Sequence, residues 1–179
     1  MCNAPSRRSR ERASLMICLD ASAGPMLVVG GGATGLRKIR TLLDAGMAVT
    51  LISPEIVPEL EEIVREGRVA WERRIAERRD FEDHVFALLA LPRSESEAVL
   101  LLAEGTRCLV NCCGAAELGT WSLAAQFRVS SSLAPVPEDT LSTAESHWYT
   151  VGVASGGRSP AGSAALKRRL QHSLEGDRS

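Results

Sequence analysis

The chain has 179 residues, 45% of them hydrophobic and 24% charged, with a formal net charge of −1. That length suits one ordinary domain with a small appendage. The charge balance leaves no cationic surplus for a nucleic acid, and no apolar run is long enough to span a bilayer, so neither nucleic acid nor membrane is an expected partner. Aromatic residues make up only 4%, so the core must be built from Leu, Val, Ile and Ala, which suits a buried parallel sheet.

At the N-terminus, "RRSRER", "ASLMICL" and "ASA" in succession imitate a weak signal peptide. Asp20 interrupts the apolar part, and a strand follows within a few residues, so residues 1–13 read as a disordered basic tail on a cytoplasmic protein. Met26–Val29 reads as a buried strand. A helix follows over Thr34–Ala45, with Leu36, Ile39 and Leu43 on one face and Gly46 as its stop. Ala48–Ile52 is a second buried strand, ended by Ser53 and Pro54. Pro58–Glu66 is a short helix with proline at its first position, and Arg68–Trp71 a short third strand. "HVFALLAL" (84–91) is a fourth strand. Ser94 and Glu97 have the spacing of a capping box for a helix over Ala98–Glu104, and "RCLVNCC" (107–113) is a fifth strand.

Strands that are apolar throughout, alternating with helices, predict a parallel sheet covered on both faces: a Rossmann-like doubly wound α/β fold over residues 14–113. Beyond Cys113 the pattern changes. "SSSLAPVPEDTLSTAES" is a loop by composition, "HWYTVGVAS" alternates like a strand with one wet face, and Pro160 opens a helix with Leu166, Leu170 and Leu174 in a narrow stripe. A stripe that narrow needs a partner. Residues 114–155 and 156–179 therefore read as a small add-on region and a helical C-terminal segment, suited to a subunit interface.

The five cysteines, Cys2, Cys18, Cys108, Cys112 and Cys113, include no C-x-x-C pair, so reduced and partly buried thiols are expected. His84, His147 and His172 form no ligand cluster, and no metal site is expected. Gly30, Gly32 and Gly35 stand in G-x-G-x-x-G register after a strand and at a helix start. The first glycine permits the tight turn, the second lets backbone approach a pyrophosphate, and the third lets helix and strand pack closely. A diphosphate would then rest on the helix N-terminus. The second strand lacks the usual terminal Asp or Glu for the adenine ribose. Ser53, Pro54 and Glu55 stand there instead, and the choice between NAD and NADP is open on this rule.

"LVVGGGATGLRKIRTLLDAGMAVTLISPE", then "REGRVAW", "CLVN" and "VASGGRSP", resembles the precorrin-2 dehydrogenase / sirohydrochlorin ferrochelatase family, the N-terminal module of siroheme synthase, from about Leu15 to Leu170. The resemblance implies a homodimer with a tetrapyrrole cleft between its domains, so that 114–155 would be the dimerisation and cleft region. It also implies oxidation of precorrin-2 to sirohydrochlorin with hydride passed to NAD⁺, and in many members Fe²⁺ insertion. By the same resemblance Ala33 and Thr34 fall in the phosphate turn, and Ser53, Pro54 and Glu55 near the adenosine. Asn111 falls at the end of the fifth strand, and Ser155, Gly156, Gly157 and Arg158 beside the tetrapyrrole. Precorrin-2 is rich in carboxylates, so Arg37, Lys38, Arg128 and Arg158 are candidate cations at its rim.

The sequence departs from the family at the chemical end. The family's aspartate, which resembles a general base, is replaced by Gly114, and Ala90-Leu91-Pro92-Arg93 replaces the usual "A-T-D-D". Glu117 and His147, or Asp139 and Glu145, are candidate replacement bases. Alternatively the proton passes to water after hydride departs, or the protein binds NAD or a tetrapyrrole as a non-catalytic carrier, partner or sensor. Chelatase activity is expected to be weak or absent.

Overall fold

The computed structural model describes residues 15–130, 148–155 and 159–176. The expected tail 1–13, the candidate bases Asp139, Glu145 and His147, and Gly156, Gly157 and Arg158 lie outside the described residues. The contacts divide the chain into two units, Cys18–Leu123 and Ala124–Ser179 taken together with Met1–Ile17.

The first unit is a five-stranded parallel sheet in the order β3-β2-β1-β4-β5. Its strands are β1 (Met26–Gly31), β2 (Val49–Ile56), β3 (Ala70–Glu72), β4 (Phe86–Leu89) and β5 (Leu109–Cys112). All six residues of β1 and all four of β4 are buried, as a central parallel sheet requires. The helices α1 (Ala33–Asp44) and α2 (Pro58–Arg65) cover one face, where Leu36, Ile39, Leu42, Leu60 and Ile63 pack on Met26, Val28, Leu51 and Leu88. The other face carries α3 (Arg78–Glu82) and α4 (Arg93–Ala103), with Phe81, Val99 and Leu102 on Leu27, Val29, Ile52 and Leu89. The expected doubly wound fold is therefore present.

Several local expectations are corrected. β2 does not stop before Ser53-Pro54 but runs on to Ile56. The β1–β2 ladder shifts register between Val29 and Gly31, so that Gly31 pairs with Ile56. The proline thus falls inside the irregularity, where its missing N–H breaks no ladder bond. Ser94 does not cap α4, which starts one residue earlier with Pro92 at its N-cap and no side-chain cap. Glu97 pairs instead with Arg93, one helical turn back. The buried Ser96 ties the helix start to the sheet end, its hydroxyl donating to Leu91 O at 3.3 Å. The capping box belongs to α3, which the apolar pattern did not reveal: Glu77 and Asp80 bond each other's backbone N–H, with Phe81 fully buried behind them.

In the second unit β6 (Ala125–Ser130) and β7 (Trp148–Val153) pair antiparallel, with Phe127 opposite Val151. β6 was not anticipated, although it alternates strictly: Phe127 and Val129 are buried, Arg128 between them exposed. The helix α5 (Pro160–Gly176) packs on both strands, and Ser163 is its one buried residue among those described.

Candidate functional site

The site grows from the turn between β1 and α1. Gly30 has φ +107°, and a Cβ there would stand 2.8 Å from Ala90 O and 2.9 Å from the Leu91 side chain. A Cβ on Gly35 would overlap Gly30 O, so this position holds helix and strand in direct contact. Gly32 differs: it is exposed, and a Cβ would meet nothing within 4 Å. The backbone is therefore open on the side a diphosphate would approach. The first intrahelical bond of α1 runs from Leu36 N–H to Gly32 O at 3.0 Å, and no side chain caps the helix. The N–H groups of Ala33, Thr34 and Gly35 precede that bond and, with the helix dipole, favour an anion.

Beside the turn, on the α4 face, lies a pocket of about 460 Å³ lined by Gly30, Ile52, Pro54, Leu91, Val99 and Leu102, with Arg74 and Ile75 at its border. It lies against the ends of β1 and β4 and against Ile52–Pro54 of β2, next to the reversal of strand order between β1 and β4 where open α/β sheets hold their ligands. Ser53 is buried and braces this edge: its hydroxyl accepts from Gly31 N–H at 3.0 Å and donates to Glu55 O at 2.6 Å. Its single proton is thus committed to the protein. Pro54 and Glu55 are exposed. Trp71 Nε1 donates to Ser53 O at 3.0 Å, and Arg73 Nε donates to Pro54 O at 3.2 Å. Arg74 forks onto Asp80 with bonds of 2.8 and 2.7 Å and reaches Glu72 as well. Burial alone would raise the Asp80 carboxyl, but the Arg74 fork and the Glu77 N–H outweigh it and hold it below its ordinary value. Arg73 and Arg74 were not among the residues singled out from the sequence. The signal was present, since "ERRIAERR" places arginines at the end of the third strand.

At the chemical end, Gly114 is exposed, yet a Cβ on it would stand 2.9 Å from Leu91 O. Glu117 is exposed and bonded to Arg93. Its own backbone N–H, and then Arg93, hold its carboxyl below the usual range, which makes it a weak proton acceptor. Asn111 is buried with its side chain turned inward: Nδ2 donates to Trp121 O at 2.8 Å and Oδ1 faces the Cys113 thiol at 3.6 Å. Cys112 and Cys113 point to opposite faces of the sheet, as neighbours in a strand must, and so cannot act as a chelating pair. Burial pushes the Cys112 thiol up to about 11. Burial also raises Cys113 and lowers the half-buried Lys38, each opposed by the other's charge. Arg37 and Arg128 are exposed. Ser155 accepts from Ser159 N–H at 2.9 Å, just ahead of α5. Among the described residues no three of His, Cys, Asp or Glu are placed to hold a metal ion.

The family described as putative NAD(P)-binding matches residues 17–125, which takes in the glycine turn, the pocket and Gly114. The chain belongs to that family. It is similar to the precorrin-2 dehydrogenase of Bacillus subtilis (strain 168), 32% identical over 94 residues, 52% of this chain and 58% of the relative. It is also similar to the siroheme synthase of Methylobacillus flagellatus, 32% identical over 159 residues, 88% of this chain and 30% of the relative. The chain thus spans less than two thirds of either relative. Among solved structures, SirC, a precorrin-2 dehydrogenase, shares the fold with a TM-score of 0.65 and 22% identity, over 93% of this chain and 71% of that one. These likenesses carry the same family names as the motifs.

Proposed function

We propose that the protein oxidises precorrin-2 to sirohydrochlorin, with an oxidised nicotinamide dinucleotide, NAD⁺ by the family likeness, as hydride acceptor. The observation that carries this reading is the open backbone at Gly32, set between unbonded first-turn amides and a largely apolar pocket of about 460 Å³. The residues present fit such a cofactor. The N–H groups of Ala33, Thr34 and Gly35 would hold its diphosphate, Gly30 and Gly32 would leave it room, and Ser53, Pro54 and Glu55 would border its adenosine. When bound, the dinucleotide supplies the hydride acceptor; the chain supplies position, and positioning carries much of the rate in such a transfer. Ser53 and Asn111 serve as braces in this reading, one fixing the turn to β2 and the other fixing β5 to the loop at Trp121.

With Gly114 in the place of the family's aspartate and Glu117 tied to Arg93, the proton that accompanies oxidation leaves to water. General-base help is worth about 10²–10⁴-fold, so turnover is slow but not abolished, and iron insertion is weak or absent. We place the reaction in the cytoplasm, where the thiols of Cys108 and Cys112 would stay reduced, and assign the exposed leucines of α5 to a homodimer contact. The loss of room at Gly114 favours one second reading, a homologue that binds dinucleotide or tetrapyrrole without turning it over. Incubation with precorrin-2 and NAD⁺ without oxygen, followed by the absorbance of sirohydrochlorin, separates them. Formation of product supports the enzyme; binding of both ligands without product supports the carrier.

A further inference from the structure

The pocket beside the glycine turn is apolar except for three side chains, Ser53, Arg74 and Glu95. Two of them have no donor left for a ligand. Ser53 is buried, with its proton given to Glu55 O. Arg74 has all its nitrogens engaged: Nε donates to Glu72 at 2.8 Å, and the terminal nitrogens donate to Asp80 at 2.8 and 2.7 Å and to Ile75 O at 3.0 Å. Glu95 differs. It stands in the first turn of α4 and is exposed, and its carboxylate has no hydrogen bond or ion pair among the described residues. The nearest cation in sequence, Arg93, is taken by Glu97 and Glu117. The open polar side chain of this pocket is therefore an acceptor alone, and what it can hold is a ligand group that donates.

With the diphosphate on the α1 N-terminus and the ribose at the end of β2, the part of a dinucleotide that reaches the α4 wall is the base. Val99 and Leu102 on that wall, and Ile75, 72% exposed at the mouth, offer apolar surface to a flat ring.

We propose that Glu95 accepts a hydrogen bond from the exocyclic amino group of adenine, so that the pocket selects adenine over a base with a carbonyl oxygen in that place. Such a bond discriminates because the carboxylate would otherwise face a lone pair. The inference rests on the dinucleotide site proposed above and names the residue that reads its base. It is tested by titrating the full chain with NADH and with reduced nicotinamide hypoxanthine dinucleotide, following nicotinamide fluorescence, for the wild type, Glu95→Gln and Glu95→Ala. In the wild type the hypoxanthine analogue should bind about tenfold more weakly than NADH. Glu95→Gln, whose amide can both accept and donate, should bring the two within about twofold. Glu95→Ala should raise the NADH Kd about tenfold and leave that of the analogue nearly unchanged, which also reports an intact fold. Equal binding of both in the wild type, a preference that survives Glu95→Ala, or a variant that weakens both alike overturns the assignment while leaving the dinucleotide site standing. Failure of both dinucleotides to bind overturns the site itself.

Discussion

At Gly114 the loop between β4 and α4 lies close, so that any side chain would begin 2.9 Å from Leu91 O. Forcing an atom into that space moves backbone and costs about 1–3 kcal/mol. Gly114→Asp is therefore expected to lower stability in urea unfolding by that amount without raising turnover of precorrin-2. A gain in turnover at unchanged stability would show that the place of the aspartate had stayed open. Glu117 is the nearest carboxylate, but its own backbone N–H and Arg93 hold it ionised, and it must give up those interactions to bind a proton. Glu117→Gln is expected to reduce turnover by much less than the roughly 10²-fold that loss of a general base costs. A larger fall, with loss of the acid limb of the pH profile, would make Glu117 the base.

Among the elements, the segment from β3 to α3 forms one edge of the pocket through Arg74, Ile75 and Ala76. Asp80 is almost fully buried, forked to Arg74 and bonded to the Glu77 N–H at 2.7 Å. Removing it leaves Arg74 short of its main partner and α3 without one of the two bonds of its capping box, so Asp80→Ala is expected to cost about 2–3 kcal/mol at pH 7. Because the folded carboxyl is held below its ordinary value of 3.8, this contribution is complete above that value. It is lost as pH falls through the folded value, and the gap between wild type and variant should close there. Ser94, by contrast, lies inside α4 and caps nothing; Ser94→Ala should stay within about 0.5 kcal/mol. Urea titrations at pH 7 and well below pH 3.8 check both, and a large loss at Ser94 would return the cap to it.

On the scale of the whole molecule, the parallel sheet carries a core on both faces, and the second unit buries few side chains among the described residues. A two-stranded ribbon is marginal alone in water. It is joined by a 17-residue helix that buries only Ser163 among the described residues. Leu166 and Leu170 remain 47% and 38% exposed, one turn apart on the same face. In the proposed homodimer these leucines are covered by the second copy. Leu166→Glu combined with Leu170→Glu is expected to yield a monomer in sedimentation, with dinucleotide binding retained. An unchanged assembly, or a wild type that is monomeric at micromolar concentration, would remove α5 from the contact.

The sheet and the glycine turn were legible because both are written locally. Uninterrupted Leu, Val and Ile runs can only be interior strands, and Gly30, Gly32 and Gly35 mark backbone that must turn or touch. The family likeness was legible for the same reason. What neighbours in space decide was not. The sequence showed that Gly114 lacks a carboxylate, but not that Leu91 O had taken its room. It showed Ser53 at the end of β2, but not that its proton is spent on Glu55 O. It placed arginines after the third strand, but only the packing of β3 against β2 divides them, tying Arg74 to Asp80 and Arg73 to Pro54 O. Local pattern fixes where the chain runs straight, bends or stops; which hydrogen bonds remain open depends on residues that meet only once the sheet has formed.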